Sequence, residues 1–129
     1  MQYSVTVNNA RLDSVETAIG TAPTLNLYSG SAPANCAAAD TGTLLATLTL
    51  PSDWMAAAGS GVKAMSGSWT GTASGGAAAT PTHFRIKAGA TCHLQGTAGI
   101  GSGECQVNGT ITSWQTVSVS SFVINAANL

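Results

Sequence analysis

Residues 43–50 read Thr-Leu-Leu-Ala-Thr-Leu-Thr-Leu, and this stretch decides the fold class. Its even positions carry Leu44, Ala46, Leu48 and Leu50, whereas Thr holds most of the odd positions. A period of two places apolar side chains on one face of a β-strand and hydroxyls on the other. The stretch therefore predicts a half-buried strand.

Several other short segments alternate in the same way. In residues 82–88, Phe84 and Ile86 are predicted to face the core, while His83, Arg85 and Lys87 face outwards. The Asn108-Gly109 dipeptide is a strong signal for a two-residue hairpin turn. Further strands are predicted at residues 3–7, 24–28, 62–66, 67–71, 91–97, 104–107 and 110–114, with a loop at 98–103.

The last strand changes phase part-way along. Val117 and Val119 occupy odd-numbered positions, whereas Phe122 and Ile124 occupy even-numbered ones, so a regular strand would place the two pairs on opposite faces. One extra residue restores the phase, so the sequence predicts a β-bulge near residues 120–121.

A single short helix is predicted at about residues 9–19. Leu12, Val15 and Ile19 recur at helical spacing and form an apolar stripe, which we expect to dock on this chain or on a neighbouring subunit. Asn8 or Asn9 is the expected N-cap, and Gly20 ends the helix. The chain is thus predicted to be mainly β, a single β-sandwich or jelly-roll-like domain over residues 1–129 with one accessory helix.

Charge is scarce, with four basic and five acidic residues and a net charge of −1. Four cations cannot neutralise many phosphates, so nucleic-acid binding is not expected. A membrane span is not expected either, because no apolar run approaches about 20 residues. Residues 1–4 lack the basic and apolar features of a signal peptide, so secretion by that route is not expected. The weak charge fits an extracellular β-module or a subunit of an assembly, and we favour the assembly.

Three cysteines cannot all pair within one chain. Cys36 lies in an Ala-rich loop and is interpreted as a small buried apolar side chain. A hairpin with its loop centred between Ala98 and Gly99 would place Cys92 opposite Cys105, at a separation that permits a disulfide. The alternative is that both remain thiols, since a register change of one residue turns one sulfur away.

No pattern of catalytic, cofactor-binding or metal-ligating residues emerges. His83 and His93 are the two histidines, and a strand would send His93 and its neighbour Cys92 to opposite faces. Nucleophile-elbow, phosphate-loop and zinc-protease motifs are missing from the sequence. We therefore expect a protein that is not an enzyme and that uses no cofactor or metal.

Three tryptophans, Trp54, Trp69 and Trp114, admit two interpretations. Exposed indole rings can stack on sugars or contact a partner, whereas buried rings cover the ends of a small core. The sequence favours the core and leaves exposed contacts open as a candidate site.

Residues 3–20, 32–40 and 48–56 strongly resemble, and residues 82–86 and 91–96 more loosely resemble, small virion proteins of tailed bacteriophages and prophages. The resemblance implies a capsid decoration, or cement, protein on the exterior of the head, assembled in the host cytoplasm. The implied partners are the major capsid protein and further copies of the chain, a homotrimer before a dimer. The alternatives are a tail or fibre adhesin and a carbohydrate-binding β-sandwich module.

Overall fold

The computed structural model describes residues 1–126 and is mainly β with an N-terminal helix, as predicted. The hydrophobic core is one continuous cluster between the faces of a curled, sandwich-like sheet. The elements are α1 (Val5–Ile19), β1 (Thr24–Ser29), β2 (Thr43–Thr49), β3 (Val62–Ala64), β4 (Thr70–Thr72), β5 (His83–Ala88), β6 (Thr91–Ile100), β7 (Cys105–Val107) and β8 (Thr116–Asn125).

The helix begins at Val5, so the predicted strand at residues 3–7 and the predicted caps Asn8 and Asn9 are wrong. Ser4 is the N-cap, and its hydroxyl accepts a hydrogen bond from the Val7 N–H at 3.2 Å. That bond satisfies an amide that the first helical turn leaves without a partner. The alternation of Val5 and Val7 does not produce a strand, because no strand within residues 1–126 covers these side chains, and both are exposed.

The apolar stripe of α1 packs against the sheet. Leu12 and Ile19 are buried, and Val15 is partly buried against the core, which confirms the predicted docking. The helix ends at Gly20 as predicted, in a conformation with φ 93° that glycine adopts without strain.

The strands follow the order β2-β1-β5-β6-β7-β8-β3, and β4 pairs with β8 as well. Ala73, directly after β4, bridges to Ala46 of β2, and the Ser74 N–H donates to the Leu45 carbonyl at 2.8 Å. The two ends of the sheet therefore meet at β4, which encloses the core.

A bulge shifts the phase within β2. Leu27 pairs with Ala46 but Tyr28 pairs with Leu44, so Leu45 is the extra residue. Leu45 consequently points into the core, and Leu44 is exposed, contrary to the simple alternation.

The predicted bulge in the last strand is confirmed. Gln106 pairs with Ser121 and Val107 pairs with Val119, which leaves Ser120 without a partner in the ladder. The extra residue lets Val119 and Phe122 both face the core.

The region between β6 and β8 differs from the predicted meander. β6 continues to Ile100, and β7 runs parallel to it, with Ala98 opposite Cys105. Gly103 makes this tight return possible, because its φ is 83° and a Cβ there would lie 3.0 Å from the Ala98 carbonyl carbon. The Asn108-Gly109 hairpin and the strand at residues 110–114 do not form, and Ile111 makes only an isolated bridge to Ala79.

Candidate functional site

A loop between β1 and β2 lies across the outer face of β5 and β6, and we call residues 30–42 the strap. Its carbonyl groups are held by side chains of the sheet below. Gln95 Nε2 donates to the Pro33 carbonyl at 2.9 Å, and Arg85 Nη2 donates to the carbonyls of Cys36 and Ala38 at 2.9 and 3.0 Å. The strap is therefore a fixed part of the surface rather than a free loop.

Asp40 at the end of the strap completes an ion cluster. Its carboxylate accepts hydrogen bonds from Arg85 Nη1 and Lys87 Nζ, which lie two residues apart on β5. The bonds from Lys87 and Arg85 outweigh desolvation and hold the pKa of Asp40 below its ordinary value. Burial, and then the neighbouring Asp40 carboxylate, raises the pKa of Tyr28.

The strap overturns the prediction that His83 and Arg85 lie at the surface. Both side chains point away from the core, but each is only 2% exposed because the strap covers them. The His83 ring stacks on Tyr28 with its centroid at 5.1 Å, and its Nδ1 lies 3.2 Å from the Thr82 hydroxyl. Neither residue is free to bind a ligand in this structure.

The disulfide joins Cys36 of the strap to Cys92 of β6, so the predicted Cys92–Cys105 bond is wrong. The predicted register required an antiparallel hairpin, whereas β6 and β7 are parallel. Cys92 accordingly faces the strap, and Cys105 is fully buried in the core. The interpretation of Cys36 as an unpaired apolar side chain is also wrong.

Cys105 remains a thiol. Desolvation by burial raises its pKa to about 12. Because the thiolate is the reactive form, a buried thiol with so high a pKa is inert near neutral pH.

A second ion cluster ties α1 to β3. Lys63 Nζ lies 2.7 Å from Asp13 Oδ1 and 2.9 Å from Glu16 Oε2, and the Lys63 side chain is 1% exposed. Asp13 also accepts the Ala58 N–H at 2.9 Å. The hydrogen bond from Lys63, followed by the one from Ala58, lowers the pKa of Asp13. Burial lowers the pKa of Lys63, but its bonds to Asp13 and Glu16 outweigh this and leave the pKa raised.

These two clusters use six of the nine charged side chains. Of the remainder, the Arg11 guanidinium lies 4.8 Å from the centroid of the Tyr3 ring, and Glu104 accepts the Thr97 N–H. Asp53 lies in an exposed turn. The outer surface is consequently dominated by hydroxyl, amide and small apolar groups.

The tryptophans divide between core and surface. Trp54 and Trp69 are buried, with indole centroids 5.9 Å apart, so neither is an exposed contact. Their N–H groups are satisfied by carbonyls, Trp54 by Gly20 at 3.0 Å and Trp69 by Ser66 at 3.1 Å. Trp114 is 74% exposed and retains the candidate role.

A braced turn presents Trp114 to solvent. Its backbone has φ 61°, a left-handed conformation that costs a bulky residue strain. Gln115 stabilises the turn, because its N–H donates to the Thr112 carbonyl at 3.2 Å and its Oε1 accepts the Thr112 N–H at 3.0 Å. The indole ring rests on Gly75, where a Cβ would lie only 3.0 Å from Trp114 Cζ2.

No group of three or more metal-ligating side chains occurs within residues 1–126. A cleft of about 410 Å³ lies beside the strap, lined by Asp40, Arg85, Lys87 and the disulfide. The single carboxylate of Asp40 is shared by two cations, Arg85 and Lys87, so each charged group has a partner and the cleft has a net charge of about +1.

Comparison with known proteins finds no matching family model, no similar curated protein and no similar solved structure. Over the described residues, α1 falls short of the length and hydrophobicity that a membrane crossing requires.

Proposed function

We propose that this chain is a structural protein of a tailed-phage virion, a decoration protein that stabilises the head by binding across capsid subunits. The observation that carries the proposal is the internal placement of charge. Lys63 and Arg85, 1% and 2% exposed, are buried and pair with Asp13 and Asp40, whose carboxylates lie at the edge of the fold. A protein that pairs six of its nine charged side chains with one another presents little unpaired charge, and such a surface is suited to burial against another protein.

Exposed apolar side chains supply contact points for such burial. Trp114 is an aromatic anchor of the type that dominates interface energies, and Leu44 and Ile100 are 40% and 43% exposed. On α1, Val5 and Val7 point to solvent while the opposite stripe is docked. These residues lie outside the ion clusters, so contact with a partner leaves the fold intact.

The partners in this proposal are the major capsid protein and further copies of the chain. A homotrimer comes before a dimer in this proposal, and both have the closed symmetry that suits repeated sites on a shell. Assembly takes place in the host cytoplasm, on the exterior of the capsid, and involves no nucleic acid, membrane or catalysis. A protein that binds only the assembled shell stabilises it by mass action.

The test uses purified heads that lack the protein. Adding the chain is expected to raise their thermal rupture temperature, to saturate at a fixed copy number, and to require Trp114. The variant Trp114→Ala is expected to bind more weakly, while Ser68→Ala, a change at another exposed position, serves as the matched control. Heads that rupture at the same temperature with and without bound protein would reject the cement function.

The exposed indole also favours a second candidate, an adhesin or carbohydrate-binding module. A ring with one face on Gly75 leaves its remaining surface for a sugar to stack on. Binding of the chain to a glycan array, lost in Trp114→Ala, would favour this candidate over the capsid protein.

A further inference from the structure

A gap interrupts the pairing of strands between β6 and β8. β7 fills the space between them only over Cys105–Val107, where it pairs with both neighbours. Beyond it, residues 95–97 of β6 lie opposite residues 123–125 of β8, and no other strand of residues 1–126 enters the space between them. We call this space the lane.

Backbone groups of β6 point into the lane. The Thr97 N–H donates to Glu104 Oε2 at 2.9 Å and its carbonyl accepts the Glu104 N–H at 3.1 Å, both on the lane side. The Ala98 N–H instead donates to the Thr82 carbonyl at 2.9 Å, on the side of β6 that faces β5. Because successive residues of a strand alternate in direction, the N–H and C=O of Gln95 face the lane.

Backbone groups of β8 also point into the lane. The Phe122 carbonyl accepts the Met65 N–H at 3.1 Å, and the Ala126 N–H donates to the Gly61 carbonyl at 2.9 Å, so these residues face β3. Val123 and Asn125, with the other parity, therefore direct their backbone groups into the lane. The lane thus has donors and acceptors on both sides, as a site for an added strand requires.

The floor of the lane is partly apolar. A cavity of about 210 Å³ lies there, lined by Leu94 and Ile124 and also by the polar residues Gln95 and Asn125, while Phe84 and Phe122 beneath it are already buried. Leu94 and Ile124 are only partly buried, so apolar side chains from an added strand would complete their burial.

Glu104 marks one end of the lane with a carboxylate. It forms no ion pair within residues 1–126, and its Oε2 occupies the place of a strand carbonyl opposite Thr97. A cation at the same end of an incoming segment would complement this charge.

We propose that the lane binds an extended peptide segment of another protein, which adds as a strand between β6 and β8. Its alternate apolar side chains contact the floor, and a Lys or Arg lies against Glu104. The proposal is independent of the capsid function, because the lane is complete within the isolated chain.

Hydrogen exchange on the free chain tests the geometry first. The Gln95 amide is expected to exchange quickly, while the amides of Leu94 and Gly96, which face β5, are protected. Equal protection of all three amides would overturn the proposal, since the lane edge would then be closed.

Binding is tested with a displayed library of random dodecapeptides. Selected peptides are expected to alternate apolar and polar residues, to carry a basic residue near one end, and to slow exchange of the Gln95 amide. Gln95→Pro removes the N–H that faces the lane and is expected to weaken binding about tenfold. The control Gln95→Ala loses the same side chain but keeps the N–H, and is expected to stay within about twofold.

A second pair, Val123→Pro and Val123→Ala, repeats the comparison on β8 and serves if Gln95→Pro fails to fold. Failure to select any peptide, or equal binding by the Pro and Ala variants, would overturn the proposal. Neither result bears on the stabilisation of capsids, which is measured separately on heads.

Discussion

Lys63 of β3 reaches Asp13 of α1 with 2.7 Å between Nζ and Oδ1, and this contact links the helix to the sheet. The two partners differ in their surroundings, since the Lys63 side chain is 1% exposed and that of Asp13 is 46% exposed. Removing one partner therefore has different consequences from removing the other, because a buried charge left alone costs more than an exposed one.

Neutralising the acidic side of this cluster is expected to destabilise the fold more than neutralising Lys63. The double variant Asp13→Asn with Glu16→Gln leaves an ammonium group in a buried site, whereas Lys63→Met leaves carboxylates that water can reach. Urea unfolding of both variants measures the difference. Equal losses of stability in the two variants would show that the burial of Lys63 does not determine the cost of removing its partners.

Acid is expected to weaken the fold through Asp13 and Asp40. Both have a pKa below the ordinary value of 3.8 in the folded state. Their contribution is therefore complete above that value and is lost as pH falls through the lower folded pKa values. The free energy of unfolding, measured from pH 6 downwards, should fall less steeply in Asp13→Asn and Asp40→Asn. Variants with the slope of the parent would contradict this assignment.

High pH is expected to destabilise the fold through Lys63, because the pKa of Lys63 is raised above its ordinary value of 10.5. Its contribution is fully present below that value and is lost as pH rises through the higher folded pKa. Tyr28 and Cys105, whose pKa values are also raised, contribute a loss over the same range, so in Lys63→Met the alkaline loss should become smaller rather than disappear. Unfolding curves collected between pH 9 and 12 supply the measurement, with Lys87→Met as a comparison from the other cluster.

Peptide mapping without reduction is expected to recover Cys36 linked to Cys92 and Cys105 as a free thiol. The bond closes a loop across a sequence separation of 56 residues. The chain-entropy model assigns such a loop about 4 kcal/mol, so Cys36→Ser with Cys92→Ser should lower stability by up to that amount. Iodoacetamide should modify Cys105 only after unfolding. A Cys92–Cys105 linkage in the map would contradict the parallel register of β6 and β7.

Fluorescence quenching separates the exposed tryptophan from the buried pair. Acrylamide should quench Trp114 efficiently and Trp54 and Trp69 poorly, because their exposures are 74%, 0% and 1%. In Trp114→Phe the accessible fraction of the emission should nearly vanish without a change in unfolding midpoint. Gly75→Val should alter the Trp114 signal, since a side chain there collides with the indole.

Local patterns predicted those parts of the fold that depend on neighbours in sequence. The stripe of Leu12 and Ile19 and the extra residue at Ser120 are both visible in the periodicity, and both are confirmed. The segment around Val5 shows the limit, because its alternation suits a strand but the Ser4 cap extends the helix instead.

The strap could not be predicted in this way. Burial of Arg85 and pairing of Cys36 depend on where the strap crosses β5 and β6, and periodicity within β5 contains no information about that crossing. With three cysteines, sequence alone allows three single pairings. The turn at Gly103 makes β7 parallel to β6 and places the Cys105 side chain in the core, which leaves Cys36 and Cys92 to pair.

The inward placement of charge also has a kinetic consequence. Long-range attraction between unlike surfaces accelerates encounter, and salt weakens that acceleration. A chain with a net charge of −1, in which Lys63 and Arg85 are paired with carboxylates, creates little field beyond its surface. Its association with a partner should therefore proceed at an unsteered rate of about 10⁵–10⁶ M⁻¹s⁻¹, nearly independent of ionic strength. The lifetime of the complex would then depend on contacts made after encounter, and evolution could lengthen it without changing how fast the partners meet.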